Sequence, residues 1–203
     1  MKITATRDVF TYDELPRDAQ KRALETLCDD AWKSLDSDMV TEDLAGFFAM
    51  LATGNDGAVL SRKKLETKYG VRIYWSISYS PSDYVSVQGK LKRCELSKMA
   101  WPEGVTYARV GSRNYGGSTV ECIETDDTAH IEHGNLYDAT QKMIDTLNDK
   151  LCRYAKQRIE GYTSEEYVLN AYRDHYGLTR RFTIDGDYAP AEFWCGDTEG
   201  DNR

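Results

Sequence analysis

The stretch VRIYWSISYSPSDYVSVQGKLK, residues 71–92, decides the fold. Its odd positions Val71, Ile73, Trp75, Ile77 and Tyr79 are apolar or aromatic. Its even positions Arg72, Ser76 and Ser78 are polar, with Tyr74 amphipathic. The same parity returns after Ser80-Pro81-Ser82-Asp83. Val85, Val87 and Leu91 fall on one face, and Ser86, Gln88, Lys90 and Lys92 on the other. A period of two on both sides of a Pro/Ser/Asp turn predicts an antiparallel hairpin with one buried face.

Working outward, Val105–Val110 and Ser118–Glu124 read as two further strands around a glycine-rich turn, 111–117. Helices flank this central run. Pro16 suits the start of a first helix, along which Ala19, Ala23, Leu27, Ala31 and Leu35 recur every four residues. A second helix is expected to begin after Thr41, carrying Leu44, Phe47, Phe48 and Leu51, and to end near Gly54. A short basic helix spans Ser61–Tyr69. The longest helix starts at Asn135, with Leu136, Met143, Leu147, Leu151 and Ala155 as its apolar stripe. Thr163-Ser164-Glu165-Glu166 is a capping box for a last helix. Met1–Phe10 and Arg181–Ile184 read as terminal strands. Helices outside a run of strands predict an α+β fold. The expectation is a mostly antiparallel sheet of four to six strands, packed against helices from both chain ends. One domain is expected over residues 1–195, with a loose acidic tail at 196–203.

Bulk properties narrow the function classes. The chain has 203 residues, 40% hydrophobic residues and only four prolines, which argues against disorder. The longest greasy patch, Leu44–Ala52, is far short of a bilayer span, and the N-terminus lacks a signal-peptide pattern. A cytoplasmic protein is therefore expected. Five scattered cysteines without a CxxC exclude a complete set of intrachain disulfides, and buried free thiols are the reading. His130-Ile-Glu-His133 has no third ligand nearby and reads as a polar loop, so no metal or other cofactor is expected. No GxSxG or P-loop pattern occurs, and no enzymatic activity is expected.

The net charge of −8 is unevenly spread. Residues 1–59 carry 6 basic and 12 acidic side chains, residues 60–118 carry 11 and 4, and residues 119–203 carry 9 and 18. A basic middle between acidic flanks has two readings: internal complementarity, or separate patches for an anion and a basic partner.

Several segments together resemble a widespread family of uncharacterised phage and prophage proteins. Tyr12-Asp13-Glu14-Leu15-Pro16-Arg17-Asp18-Ala19-Gln20-Lys21-Arg22-Ala23 is similar to the family's opening F-x-E-L-S-x-x-A-K-x-x-A. Tyr79-Ser80-Pro81-Ser82-Asp83-Tyr84 stands where the family has an S-Q-G-D-G turn, with the glutamine and both glycines replaced. Tyr107-Ala108-Arg109-Val110 matches Y-A-x-V. Arg113-Asn114-Tyr115-Gly116-Gly117 stands at the family's basic Gly/Tyr turn, without its histidines. Gly161-Tyr162-Thr163-Ser164-Glu165-Glu166 and Phe182-Thr183-Ile184-Asp185-Gly186 are similar to its C-terminal motifs. The resemblance covers most of the chain in order. It implies a phage or prophage accessory protein and no particular activity.

Two functions follow as expectations. The leading one is a non-enzymatic inhibitor of a host factor, namely a nucleic-acid-handling component of antiviral defence in the infected bacterium. Its docking surface would be the acidic run Asp36, Asp38, Glu42 and Asp43 with Trp32 as an apolar anchor, as clustered carboxylates complement basic grooves. The alternative is a nucleotide- or nucleic-acid-binding protein. Tyr74, Tyr84, Arg109, Arg113 and Tyr115 would supply charge and stacking, with Lys90 and Lys92 beside them.

Overall fold

The computed structural model describes residues 8–54, 61–78, 81–113, 116–126, 133–176 and 181–189. The fold is α+β, with a four-stranded antiparallel sheet. The chain groups into two compact units, residues 1–35 with 160–203, and residues 36–159.

The first unit is helical. Helix α1 spans Arg17–Lys33 after Pro16, and Ala19, Ala23 and Leu27 are its buried side chains. They pack with Tyr12, Leu15, Val168, Tyr172 and Phe182 into one cluster. Helix α5, Glu165–Ala171, contributes Val168, and Ser164 caps it by accepting from the Tyr167 N–H. Arg181–Ile184 does not form a strand. Phe182 makes only isolated antiparallel bridges, to Phe10 and to Tyr188. A Thr183–Asp187 turn limits the pairing, with the Gly186 N–H donating to Thr183 O at 2.9 Å. Residues 1–7 of the expected first strand, and the expected tail, lie outside the described residues.

The second unit holds the sheet, in the order β1 (Val71–Ser76), β2 (Tyr84–Lys92), β3 (Val105–Ser112), β4 (Ser118–Thr125). Strand β1 pairs antiparallel with β2, Ile73 opposite Val87 and Tyr74 opposite Ser86, so the two apolar sets share one face as the alternation predicts. Val71, Ile73, Val85, Val87, Leu91, Ala108 and Val110 point inward and are buried. Two helices supply their partners. Helix α2, Ser37–Thr53, brings Val40, Leu44 and Phe48, all fully buried. Helix α4, His133–Tyr162, brings Ile144, Leu151 and Ile159, also fully buried. Each such side chain contributes roughly 1.5–3 kcal/mol through burial. The helices also meet each other, with the Phe47 and Tyr154 rings stacked 4.1 Å apart. Helix α3, Arg62–Lys64, continues as one π turn to Tyr69 and delivers the chain to β1.

Helix α2 starts earlier than the sequence suggests. Asp36 is its cap, accepting the Asp38 N–H, and Thr41 lies inside the helix, 7% exposed. The Thr41 hydroxyl donates to Ser37 O and accepts the Trp75 indole N–H at 3.0 Å, which ties α2 to β1. Buried alternation also breaks at Ser86, a nominally outward position that is 1% exposed.

The cause is a gap in the ladder. Strand β2 pairs with β3 only over 89–92, so Val87 has no strand partner on that side. Side chains close the gap instead. Asn148 of α4 accepts the Val87 N–H at 3.1 Å and donates to Ser118 Oγ at 2.9 Å. Ser118 Oγ donates to Val87 O at 2.8 Å, and Ser86 Oγ donates to Gly117 O at 2.7 Å. Further along α4, Gln141 accepts the Val120 N–H and donates to Ser118 O. That contact covers the free edge of β4, which protects it from pairing with another chain. Buried polar groups of this kind are tolerated because each one is satisfied.

Candidate binding face of the sheet

Even positions Arg72 and Tyr74 of β1 and Gln88 and Lys90 of β2, with Arg109 of β3, form a polar face. Arg72 sits opposite Gln88, and Lys90 opposite Arg109. With Glu66, Tyr74 and Glu121 they line an open depression of about 880 Å³. Tyr74 is 43% exposed. Two like charges face each other in the Lys90–Arg109 pair, which is unfavourable alone. Glu121 compensates, its Oε2 lying 2.9 Å from Arg109 Nε. It reaches that place because a register shift between Arg109 and Val110 leaves Glu121 without an opposite residue on β3. Such bulges re-aim a side chain.

Glu66 has the same role at the other side. Its Oε1 is 3.6 Å from Arg62 Nε and 3.9 Å from Arg72 Nε. These pairs are exposed and each is worth at most about 1 kcal/mol. Lys90 is exposed and, among the described residues, has no ion-pair partner. The floor is backbone at Gly89, φ +133°, where a Cβ would lie 2.0 Å from Gly70 O. Burial lifts the Tyr107 phenol, on the same face, above its ordinary value.

Of the residues singled out from the sequence, Tyr74 and Arg109 line the depression. Tyr84 does not. It is half-buried against Gly116, where a Cβ would come within 2.3 Å of its ring. Arg113 is exposed at the β3–β4 turn, its backbone N–H donating to Gly117 O at 3.2 Å. Tyr115 lies outside the described residues. Arg72, Glu66 and Glu121 were not anticipated. The parity of Arg72 signalled its outward direction, whereas nothing local places the two glutamates beside basic strands.

The acidic run is engaged within its own unit. Asp36 caps α2. Asp38 Oδ1 lies 3.4 Å from Arg62 Nη1, and Glu42 accepts the Arg62 backbone N–H at 2.8 Å. Asp43 Oδ2 is 2.8 Å from Arg158 Nε. The run therefore holds α2 to α3 and α4. Trp32, 38% exposed, lies in the last turn of α1 in the helical unit.

The four described cysteines depart from the expectation of burial, and Cys195 lies outside the described residues. Cys94 is exposed, and Cys28, Cys122 and Cys152 are half-buried free thiols. Burial raises the Cys28 and Cys152 thiols above their ordinary value. Among the described residues, no three His, Cys, Asp or Glu side chains gather as metal ligands. Among the same residues no helix is long and apolar enough to cross a membrane. In comparisons with known proteins, no family model, no curated protein and no solved structure matches the chain.

Proposed function

We propose that this protein works by binding: it is a phage accessory protein that occupies a host protein and blocks it. The resemblance to phage and prophage proteins favours a component of antiviral defence as that host protein. The docking surface in this reading is the outward sheet face, not the acidic run. One observation carries that choice. The face presents an exposed tyrosine among charges of both signs, Arg72, Lys90 and Arg109 beside Glu66 and Glu121. Tyrosine and arginine are the side chains that most often anchor protein interfaces, and mixed charges fix register between partners. The carboxylates Asp36, Glu42 and Asp43, by contrast, are committed to contacts inside the fold.

A second reading has its own support. The depression has the volume of a small-ligand site and combines three cations with an aromatic ring. A nucleotide, or a stretch of single-stranded nucleic acid, would suit it. The two glutamates weaken this reading, because they already neutralise Arg72 and Arg109.

Phage plating on strains that each carry one defence system, with and without this protein expressed, tests the first reading. Restored plating on one strain names the pathway. No restoration on any strain counts against it. Nucleotide and oligonucleotide titrations over a salt series test the second, as phosphate binding falls steeply with salt.

A further inference from the structure

On the helical side of the sheet unit, a slot of about 310 Å³ opens between the end of α2, the β2–β3 connection and α4. Met99, Met143 and Leu147 give it an apolar floor. Lys98, Lys142 and Lys150 stand at its rim, and all three are exposed. Among the described residues none of the three has an ion-pair partner, although the chain carries a net charge of −8. In the same unit Arg62, Arg72, Lys92, Arg109, Lys156 and Arg158 each lie beside a carboxylate, whereas these three, like Lys90, do not. An apolar slot ringed by unneutralised cations selects a partner that is apolar at its centre and anionic around it. Methionine side chains adapt their shape to such a guest.

The spacing fits an extended partner. Lys142 and Lys150 are eight residues apart on one helix, about 12 Å along its axis. A small monoanion reaches only one of them. An extended peptide advances about 3.3 Å per residue with alternate side chains on one side, so residues i and i+4 lie about 13 Å apart. Carboxylates at i and i+4 then meet the two lysines while residue i+2 points into the slot. Lys98 answers a further acid across the groove.

We propose that this slot docks an extended acidic segment of a partner protein, with the pattern acid–x–apolar–x–acid. The site is separate from the outward sheet face and does not rest on the reading given to that face.

The test is fluorescence anisotropy with a fluorescein-labelled peptide, glutamate-serine-phenylalanine-serine-glutamate, and the full-length protein at low salt. Saturable binding is expected. K142E/K150E is expected to weaken it at least tenfold, and Ala139→Trp, which fills the slot from its exposed rim, to do the same. Replacing the peptide's phenylalanine by alanine should also cost at least tenfold. K63E/K64E, an equal charge reversal at two exposed lysines of α3 that line neither the slot nor the sheet-face depression, should leave the affinity unchanged. Circular dichroism and urea midpoints establish that each variant is folded. The proposal is overturned if no saturable binding occurs at millimolar peptide, or if the alanine peptide binds as well. It is also overturned if K142E/K150E and K63E/K64E have equal effects, since the attraction is then general.

Discussion

Replacing Asn148 by leucine tests how the sheet is held to α4. Asn148 is 8% exposed and serves two buried partners, the Val87 N–H at 3.1 Å and Ser118 Oγ at 2.9 Å. Leucine has nearly the same size and suits the apolar stripe around it, so packing loss is small. The Val87 N–H, however, is left buried with no acceptor, at a cost of about 1–3 kcal/mol. Losing the hydrogen bond to Ser118 adds about 1 kcal/mol. A net destabilisation of about 3 kcal/mol is expected, which for a chain of this length lowers Tm by about 9 °C. Urea unfolding followed by tryptophan fluorescence should show a lower midpoint at unchanged slope. The exposed neighbour variant Thr146→Ala should stay within about 0.5 kcal/mol of the wild type. An N148L protein as stable as T146A would refute the reasoning, because the Val87 N–H would then have another acceptor.

Gly89→Ala forces a Cβ against Gly70 O at a positive φ, and is expected to destabilise the β1–β2 hairpin by about 1–3 kcal/mol in the same urea assay. Among the four described cysteines, iodoacetamide should modify exposed Cys94 first and Cys28 and Cys152 late, because burial limits access and raises both thiols, as peptide mapping over time will show. The Thr11 backbone N–H and hydroxyl, at 2.7 and 2.8 Å, hold the Glu14 carboxyl below its ordinary value. The unfolded chain then binds that proton more readily, so the contribution is complete above the ordinary carboxylate range and fades as pH falls through the folded value. Glu14→Gln should accordingly flatten part of the acid limb of the stability profile, read from urea midpoints across the pH range.

Period-two alternation over 71–92 gives the antiparallel hairpin and its inward face, since side-chain direction in a strand depends only on parity; the register, which parity leaves open to shifts of two, comes from the structure. The start of α5 is legible from its local cap, though the expected Thr163–Glu166 capping box does not form and Ser164 alone caps the helix through the Tyr167 N–H. Helix α2 begins at Ser37 and not after Thr41, whose hydroxyl serves Trp75 from 34 residues away in sequence. Ser86 looked outward by parity and is buried because β2 and β3 part, a consequence of which residues pair between distant strands. The same holds for the site. Tyr74, Lys90 and Arg109 were readable as outward polar positions, whereas Glu66 and Glu121 join them through a π turn and a bulge that leave no local pattern. The chain passes between the two units twice: at 35–36, between α1 and α2, where Asp36-Ser37-Asp38 marks a break in the sequence, and at 159–160, inside helix α4, where no such break signals it.

The most direct measurement is titration calorimetry between this protein and the host component that plating rescue identifies. R72E/Y74A/K90E removes the exposed tyrosine and reverses two cations of the sheet face without touching the core. Its affinity should fall at least a hundredfold. Asp38→Lys is the matched variant of the acidic run, because Asp38 is 78% exposed and its neighbours Asp36, Glu42 and Asp43 hold the fold. Its affinity should stay within tenfold of the wild type. Wild-type affinity in folded R72E/Y74A/K90E together with a hundredfold loss in D38K would contradict docking through the sheet face and assign it to the acidic helix.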